Sequence, residues 1–578
     1  MKFHNLELIP AKNPAVLDTV TWDPAAAWKV ISAVDESFWQ SLIAAACRAG
    51  FSPPMNDGGA SPTLHTVYSG SVAEYQNSEY SLIGLKDGQH VFIELGTGDK
   101  SSILGEPIGI RSLKNGRRLS AYPVDAAVVN RYVSFIRPDK GPKALGAVPR
   151  LGIGSRMTTA AWPGVWRAME KCSFLANPIQ NSVREVNLLE DVLAAQPPRS
   201  NYMANFGTVP EGHAGSTFEG LWVAGVLEAL KADSSPEFGA DADHITVRRG
   251  EHKLDRARRV IEAARRFTFF TLDVSDLLDY GAMTKISQAQ AQDYIAVHIS
   301  ESKHRRQIAA YHGEKSKLDK GMIGRLVGKY WPALNAVEQL AKHIDSVRDG
   351  KPFDLELSID ETPAGIDTFD CLTSEAELTF LANEIRRRHV PVTHIAPNFG
   401  VEKELDYRGR DGLAGLEKRI RGLQNISREF GIMLDCHSGD DLKPETRRAV
   451  GRATQGHIHF KISPALQIIF AETMNDVVPE RFGFWWDDTL DYARREAGSG
   501  STFASDCLRE YKAAEDKAPS PDHAVFRYYN FASVGKRDER GQFVHREKFY
   551  DLPADFYDEY RNRICSYLCE VAADVEIS

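Results

Sequence analysis

From about residue 150 the chain alternates between two hydrophobic patterns. Short, nearly continuous apolar runs, of the kind buried on both faces of a parallel sheet, are separated by segments with the three-to-four-residue spacing of amphipathic helices. Eight runs stand out: RLGIGSR, SFLANPIQ, DADHITV, FTFFTLD, FDLELSID, VTHIAPN, GIMLDCH and HIHFKIS. Helical stretches such as LDRARRVIEAARR, EAELTFLANEIRRRH and GLEKRIRGLQNISREFG lie between most of them. Eight βα units predict an α/β fold, a closed (β/α)8 TIM-type barrel over residues 151–470, with an open doubly wound sheet as the competing arrangement. Upstream, residues 1–150 combine a helical pattern, FWQSLIAAACRAG, with glycine-bounded strand-like runs, which predicts an N-terminal α+β domain. Downstream, residues 471–578 read as a helical C-terminal extension packed on the barrel, ending in FYDEYRNRICSYLCEVAADV.

Composition narrows the function classes. The 578 residues are 43% hydrophobic and 26% charged, which is globular rather than disordered. The net charge of −9 comes with no long basic run, so nucleic acid is not an expected partner. The start lacks the apolar core of a signal peptide, and no apolar run reaches the roughly 18 residues of a membrane span. A cytoplasmic protein with no membrane partner is expected. The seven cysteines are scattered, odd in number and form no CxxC pair, which argues for reduced, mostly buried thiols and against a disulfide framework.

In a barrel of this kind chemistry collects at the C-terminal ends of the strands. Those ends carry Asp243 and His244, then Asp273, then Glu356, Asp360 and Glu361, then His437 with Asp440 and Asp441, and finally His457, His459 and Lys461. Imidazoles and carboxylates embedded in apolar strands are costly to desolvate unless something compensates them. A divalent metal held by two or three histidines and a carboxylate would do so, and that donor set suits zinc, manganese or iron better than calcium. A single strand histidine is more often a hydrogen-bonded structural residue, but histidines at three separate strand ends shift the balance. The two-residue period places His457, His459 and Lys461 on one face, so that His459 and Lys461 both look into the barrel mouth. The same period puts Glu356, Ser358 and Asp360 on one face and Glu361 on the other unless the strand end turns it. The His- and Lys-rich stretch HISESKHRR to YHGEKSKLDKG reads as an exposed helix and loop. No glycine-rich phosphate loop followed by GK[ST] is present.

Taken in order, FGADADHI (238–245), FTFFTLDVSD (267–276), ELSIDET (356–362), HSGDD (437–441) and HFK (459–461) resemble the tagaturonate epimerase family, and GIGSR (152–156) and QNSVRE (180–185) resemble its first two strand-end motifs. The resemblance implies a metal-dependent barrel interconverting tagaturonate and fructuronate, or the neutral ketohexoses tagatose and fructose. Its DH motif is similar to that of class II aldolases, which implies His244, His437 and His459 as metal ligands. Three imidazoles at one strand-end layer favour zinc, with a carboxylate, Glu356 or Glu361, to complete the site. Asp243 then stands beside the reacting centre, opposite Glu361, with Asp273 as the substitute acid/base. Where the family carries GxGDR and HSGSDK this chain has GIGSR and HSGDD. That comparison places Ser155 and Asp440 against substrate, while Arg156, Arg184 and Lys461 are the cations available to a sugar carboxylate.

The stereocentre distinguishing these ketoses is β to the carbonyl, so its C–H is not acidified and simple enolisation cannot invert it. Retro-aldol cleavage to an enediolate and an aldehyde, followed by rejoining on the opposite face, does so with a Lewis acid and an acid/base pair. Transient oxidation would need a nicotinamide, and no Rossmann fingerprint appears. A class II aldolase-like lyase and a non-catalytic sugar-binding descendant are the alternatives. The expected partner is a small sugar or sugar acid, and a homo-oligomer is compatible with all of this.

Overall fold

The computed structural model describes the chain apart from residues 4, 40–63, 98–101, 204–206, 251, 253, 285–286, 363–365, 403–404 and 578. Each of the eight expected runs forms a strand: β1 (Arg150–Gly154), β2 (Ala176–Ser182), β3 (Phe238–Thr246), β4 (Phe269–Asp273), β5 (Asp354–Ser358), β6 (His394–Ala396), β7 (Met433–Cys436) and β8 (His459–Ile462). Every neighbouring pair is parallel, and β8 pairs with β1 through Phe460 opposite Leu151, closing the barrel and excluding the open sheet. Alternation sets the two faces. Leu151, Ile153, Phe270, Leu272, Leu355, Leu357, Phe460 and Ile462 are buried in the hydrophobic core, while the alternate positions bring polar side chains together inside the barrel.

The helices between strands carry their own start and stop signals. Glu375–Arg388, for example, opens with a reciprocal capping box between Ser374 and Glu377 and closes on left-handed His389 with Arg386, Arg387 and Arg388 in its last turn. The long insertion between β4 and β5 includes the helix Ser302–Lys315. It is largely exposed, as its pattern implies, but His312 is fully buried against Glu384 at 2.8 Å.

Ahead of the barrel lies a five-stranded antiparallel sheet whose order is Leu64–Tyr75, Ser78–Leu85, His90–Gly96, Arg118–Pro123, Gly109–Ser112. One face, with Tyr80, Leu82, Phe92 and Tyr122, joins the main core; the other, with Ile83, Val91, Ile93 and Leu119, packs on Ala27 and Ile31 of the helix Pro24–Ser32. All but the first two positions of the expected helix FWQSLIAAACRAG lie outside the described residues. After Ile462 the chain is helical, and its last helix, Ala554–Asp574, packs on Thr158–Cys172 with Ile564 against Gly164. This pairing joins Cys172 to Cys569 in a disulfide across 397 residues of sequence, which corrects the expectation of wholly reduced thiols. Cys371, Cys436, Cys507 and Cys565 are buried and form no disulfide. Among the described residues no helix is long and apolar enough to cross a membrane.

One buried carboxylate makes stability depend on pH. Glu219, in the first turn of Phe218–Lys231, is pushed up to about 7 by burial. Because the folded value exceeds the unfolded one, the native state holds the extra proton, and that stabilising contribution is lost as pH rises through about 7. Glu219→Gln should therefore gain up to about 3 kcal/mol over the parent chain at alkaline pH and nothing in acid. Denaturant melts at both pH values check this, and equal stabilities in alkali would refute it.

Candidate active site

The barrel interior is polar and layered. Arg150 and Asp354, the first residues of β1 and β5, form a buried ion pair at 3.2 Å. Above them His459 Nδ1 lies 2.8 Å from Asp435 Oδ2, and the His394 ring is 5.5 Å from that of His459. One step further along β8 the Lys461 ammonium is surrounded: Glu356 at 2.6 Å, Asp243 at 2.8 Å, Asp241 at 3.1 Å and the Thr271 hydroxyl at 2.8 Å. Gly152 makes this crossing possible. A Cβ there would stand 2.7 Å from Lys461 Cγ and 2.8 Å from His459 Nε2. Burial would strip Lys461 of its proton, but the surrounding carboxylates hold its pKa well above the ordinary lysine value. The acids outnumber it, and Asp241 is raised to about 7 by burial and its carboxylate neighbours despite Lys461.

At the mouth two imidazoles converge, with ring centroids 4.5 Å apart. His437 is tied through Nε2 to Glu356 at 2.7 Å, and His244 through Nδ1 to Asp243 at 2.8 Å. Of their other nitrogens, His437 Nδ1 is paired with Asp360 Oδ2 at 3.0 Å, and His244 Nε2, buried without a hydrogen bond, stands 3.7 Å from Glu361 Oε1. Burial alone would lower His437, but Asp360 and Glu356 overcome it and push the pKa up to about 10. The place between them calls for positive charge.

Asp243 and His244 are consecutive, so in a regular strand they would face opposite ways. The register of β3 slips between Ala242 and Ile245, and His244 takes φ of 49°, a left-handed conformation costly for a side chain of this size. That bulge brings both groups to one cavity of about 120 Å³, whose wall also includes Arg156, Arg184, Glu185 and His213.

Residues 214–471 match the profile of the tagaturonate epimerase family. The likeness is to the tagaturonate epimerases. The tagaturonate/fructuronate epimerase of Thermotoga maritima is 29% identical over 274 residues, which is 46% of this chain and 52% of that protein, so the match spans about half the relative's length. Two glycerol-complexed crystal structures of the fructuronate-tagaturonate epimerase of Cohnella laeviribosi share the fold at 18% identity. One has a TM-score of 0.62 over 94% of this chain and all of that one; the other has 0.66 over 89% and 97%.

The family's expected site residues separate into groups. Asp243, His244, His437, Asp440, Lys461, Arg156 and Arg184 all border the cavity. Glu361 joins them through Arg184 at 3.1 Å, because β5 ends at Ser358 and the chain turns. Asp273 is 3.6 Å from the same guanidinium, and burial and Glu361 raise its pKa. Glu356 braces His437 from behind. His459 does not reach the mouth: the shared face of β8 puts it one layer below Lys461, and His457 precedes the strand beside Gln424. Ser155 turns away, donating to the Pro178 carbonyl at 2.8 Å. Asp440 uses Oδ2 to accept from the backbone N–H groups of Ser463 and Ala465, fixing the start of the helix Pro464–Val477. Asp241, Thr271, Asp435, Glu185 and His213 were missed. The carboxylates among them had a signal, standing inside or beside apolar runs; His213 sits in a loop and had none.

Among the described residues two sets are close enough to share an ion: Glu356, Asp435 and His437, and, deeper, His394, Asp435 and His459. The first already has Lys461 as its cation, 2.6 Å from Glu356. The cavity-side nitrogens of His244 and His437, with Asp360 and Glu361 beside them, fit a divalent metal better, since each imidazole is oriented from behind by a carboxylate, the usual support of a metal-binding histidine.

Proposed function

We propose that this chain is a divalent-metal-dependent isomerase that epimerises a ketohexuronate at the carbon β to its carbonyl, interconverting tagaturonate and fructuronate. The family match and the name of the Thermotoga maritima relative support the reaction. The observation that carries metal dependence is the pair of carboxylate-braced imidazoles whose second nitrogens converge with Asp360 and Glu361 at one cavity. His244 and His437 would hold the ion, zinc before manganese or iron, with Asp360 completing the set. When bound, it supplies a Lewis acid to the substrate's carbonyl end.

The chain's own groups move the proton. Asp243 stays ionised, since His244 and Lys461 hold its pKa well below the ordinary value against burial, and it takes the proton of the β-hydroxyl. The bond between the α and β carbons breaks, leaving its electron pair on the carbonyl fragment as an enediolate and turning the β carbon into an aldehyde. After the aldehyde presents its other face the bond reforms, and Glu361, beside Asp273, protonates the new alkoxide. Proton exchange with solvent then returns Asp243 to its ionised form and Glu361 to its protonated form, closing the cycle in either direction.

A second reading has its own observation: each cation at the cavity already has an acid partner, Arg156 with Glu185 at 2.7 Å, Arg184 with Glu361 and Lys461 with Glu356. That arrangement suits the neutral pair tagatose and fructose. Both pairs should be followed by proton NMR with metal-loaded and chelator-stripped protein. Interconversion lost with the metal, with deuterium retained at the inverted carbon, is expected. Washout of the label would defeat the cleavage route, accumulating aldehyde would indicate a lyase, and no turnover of either pair would end the epimerase reading.

A further inference from the structure

At the opposite, N-terminal end of the barrel lies a larger cavity, of about 440 Å³. Its wall is built from the residues just before β4 and β5 together with Trp222 of the helix Phe218–Lys231. Four of the lining side chains are cationic, Arg265, Arg266, Arg348 and Lys351, against a single carboxylate, Asp349. In a chain of net charge −9 this is a local reversal of sign.

Among the described residues none of the four makes an ion pair, whereas the cations at the active-site cavity all do. Arg348 is 8% exposed and spends its guanidinium on backbone, donating to the carbonyls of Arg265, Phe267 and Pro352, with Nε left buried and unpartnered. Those bonds tie the segments before β4 and β5 together and fix the wall in place. Arg266 lies over the Trp222 ring at 5.6 Å, and Trp222 Nε1 is likewise buried without an acceptor. The nearest acids act only from a distance: Asp18, Asp125 and Glu219 influence Arg266 without contacting it, and burial raises both Asp18 and Glu219 toward their neutral forms. Four clustered cations repel one another unless an anion joins them, and unsatisfied buried N–H groups ask for an acceptor.

We propose that this cavity is a binding site for a diphosphate group, either free or as the end of a nucleotide. A diphosphate offers several anionic oxygens to guanidinium forks at once, and its charge matches the three-unit excess left by four cations and one carboxylate. The site stands apart from the catalytic cavity, at the other end of the strands, and does not depend on what reaction occurs there.

Isothermal titration of the full chain with pyrophosphate, ADP, sulfate and a single-stranded RNA oligomer, at low and high salt, tests it. Saturable binding of pyrophosphate is expected, weakening with salt but exceeding that of sulfate. ADP matching or exceeding pyrophosphate would identify the nucleotide as source, and ADP binding more weakly would identify the free anion. The exposed-residue variant Arg265→Gln/Lys351→Gln should bind at least about tenfold more weakly while its melting temperature and sugar turnover stay unchanged. Arg266→Gln gives an independent second probe. Equal response to sulfate, unchanged affinity in both variants, or preference for RNA over every small anion would each overturn the proposal.

Discussion

Replacing Lys461 with Met should cost about 3–5 kcal/mol of folding stability and abolish turnover on charged and neutral sugars alike. The ammonium is buried within 3.1 Å of Glu356, Asp243 and Asp241, so its removal leaves several carboxylates without water or a counter-charge. This departs from the role its strand-end position suggested, that of reading a sugar carboxylate. A group already enclosed by acids has little field left for a substrate anion. It is a keystone that keeps Asp243 ionised and Glu356 aimed at His437. The double variant Asp241→Asn/Lys461→Met should recover part of the lost stability, because it removes one of the stranded charges. Melting curves and kinetics on a uronate and its neutral ketose settle the matter. A normal melt, with KM raised for the uronate alone, would restore the substrate-reading role.

The histidines should divide by depth. His244→Ala and His437→Ala are expected to lose both bound metal and turnover, because each removes a ring nitrogen that faces the carboxylates at the cavity. Glu356→Gln weakens the brace rather than the ligand, and metal affinity should fall about 10–100-fold. His459→Ala should keep the metal and instead lose stability, since it strands Asp435 in the barrel interior. Metal content by elemental analysis, read beside activity and melting temperature, distinguishes these outcomes. Metal lost from His459→Ala and kept by His437→Ala would invert the assignment and move the ion to the deeper His394, Asp435 and His459 set.

Much of this architecture was legible along the chain. Each of the eight strands follows from a short apolar run bounded by a helix pattern, because alternation of buried and polar positions is a local property of extended backbone. The family strings and the strand-end carboxylates and histidines were legible for the same reason. They also drew attention to Asp243, His244, His437 and Lys461 at the cavity, and to Glu361 beside it.

What sequence by itself determined, then, was the βα alternation, the resemblance to the tagaturonate epimerases, and the list of polar groups directed inside, while the pairing of β8 with β1 closed the barrel. Tertiary structure alone decided their depth and their partners. A two-residue period fixes the face on which His459 and Lys461 lie but not how far down the barrel each sits, since depth depends on the stagger of strands brought together from across the chain. The bulge that turns Asp243 and His244 to one cavity, the backbone acceptor that claims Ser155, the amides that claim Asp440 and the disulfide between Cys172 and Cys569 are likewise decided by long-range contacts. The same holds for charge. Sequence counts the cations, but only the folded chain shows that Arg156, Arg184 and Lys461 are paired with acids at one cavity while, among the described residues, Arg265, Arg266, Arg348 and Lys351 make no ion pair at the other, because pairing is a property of distance in space.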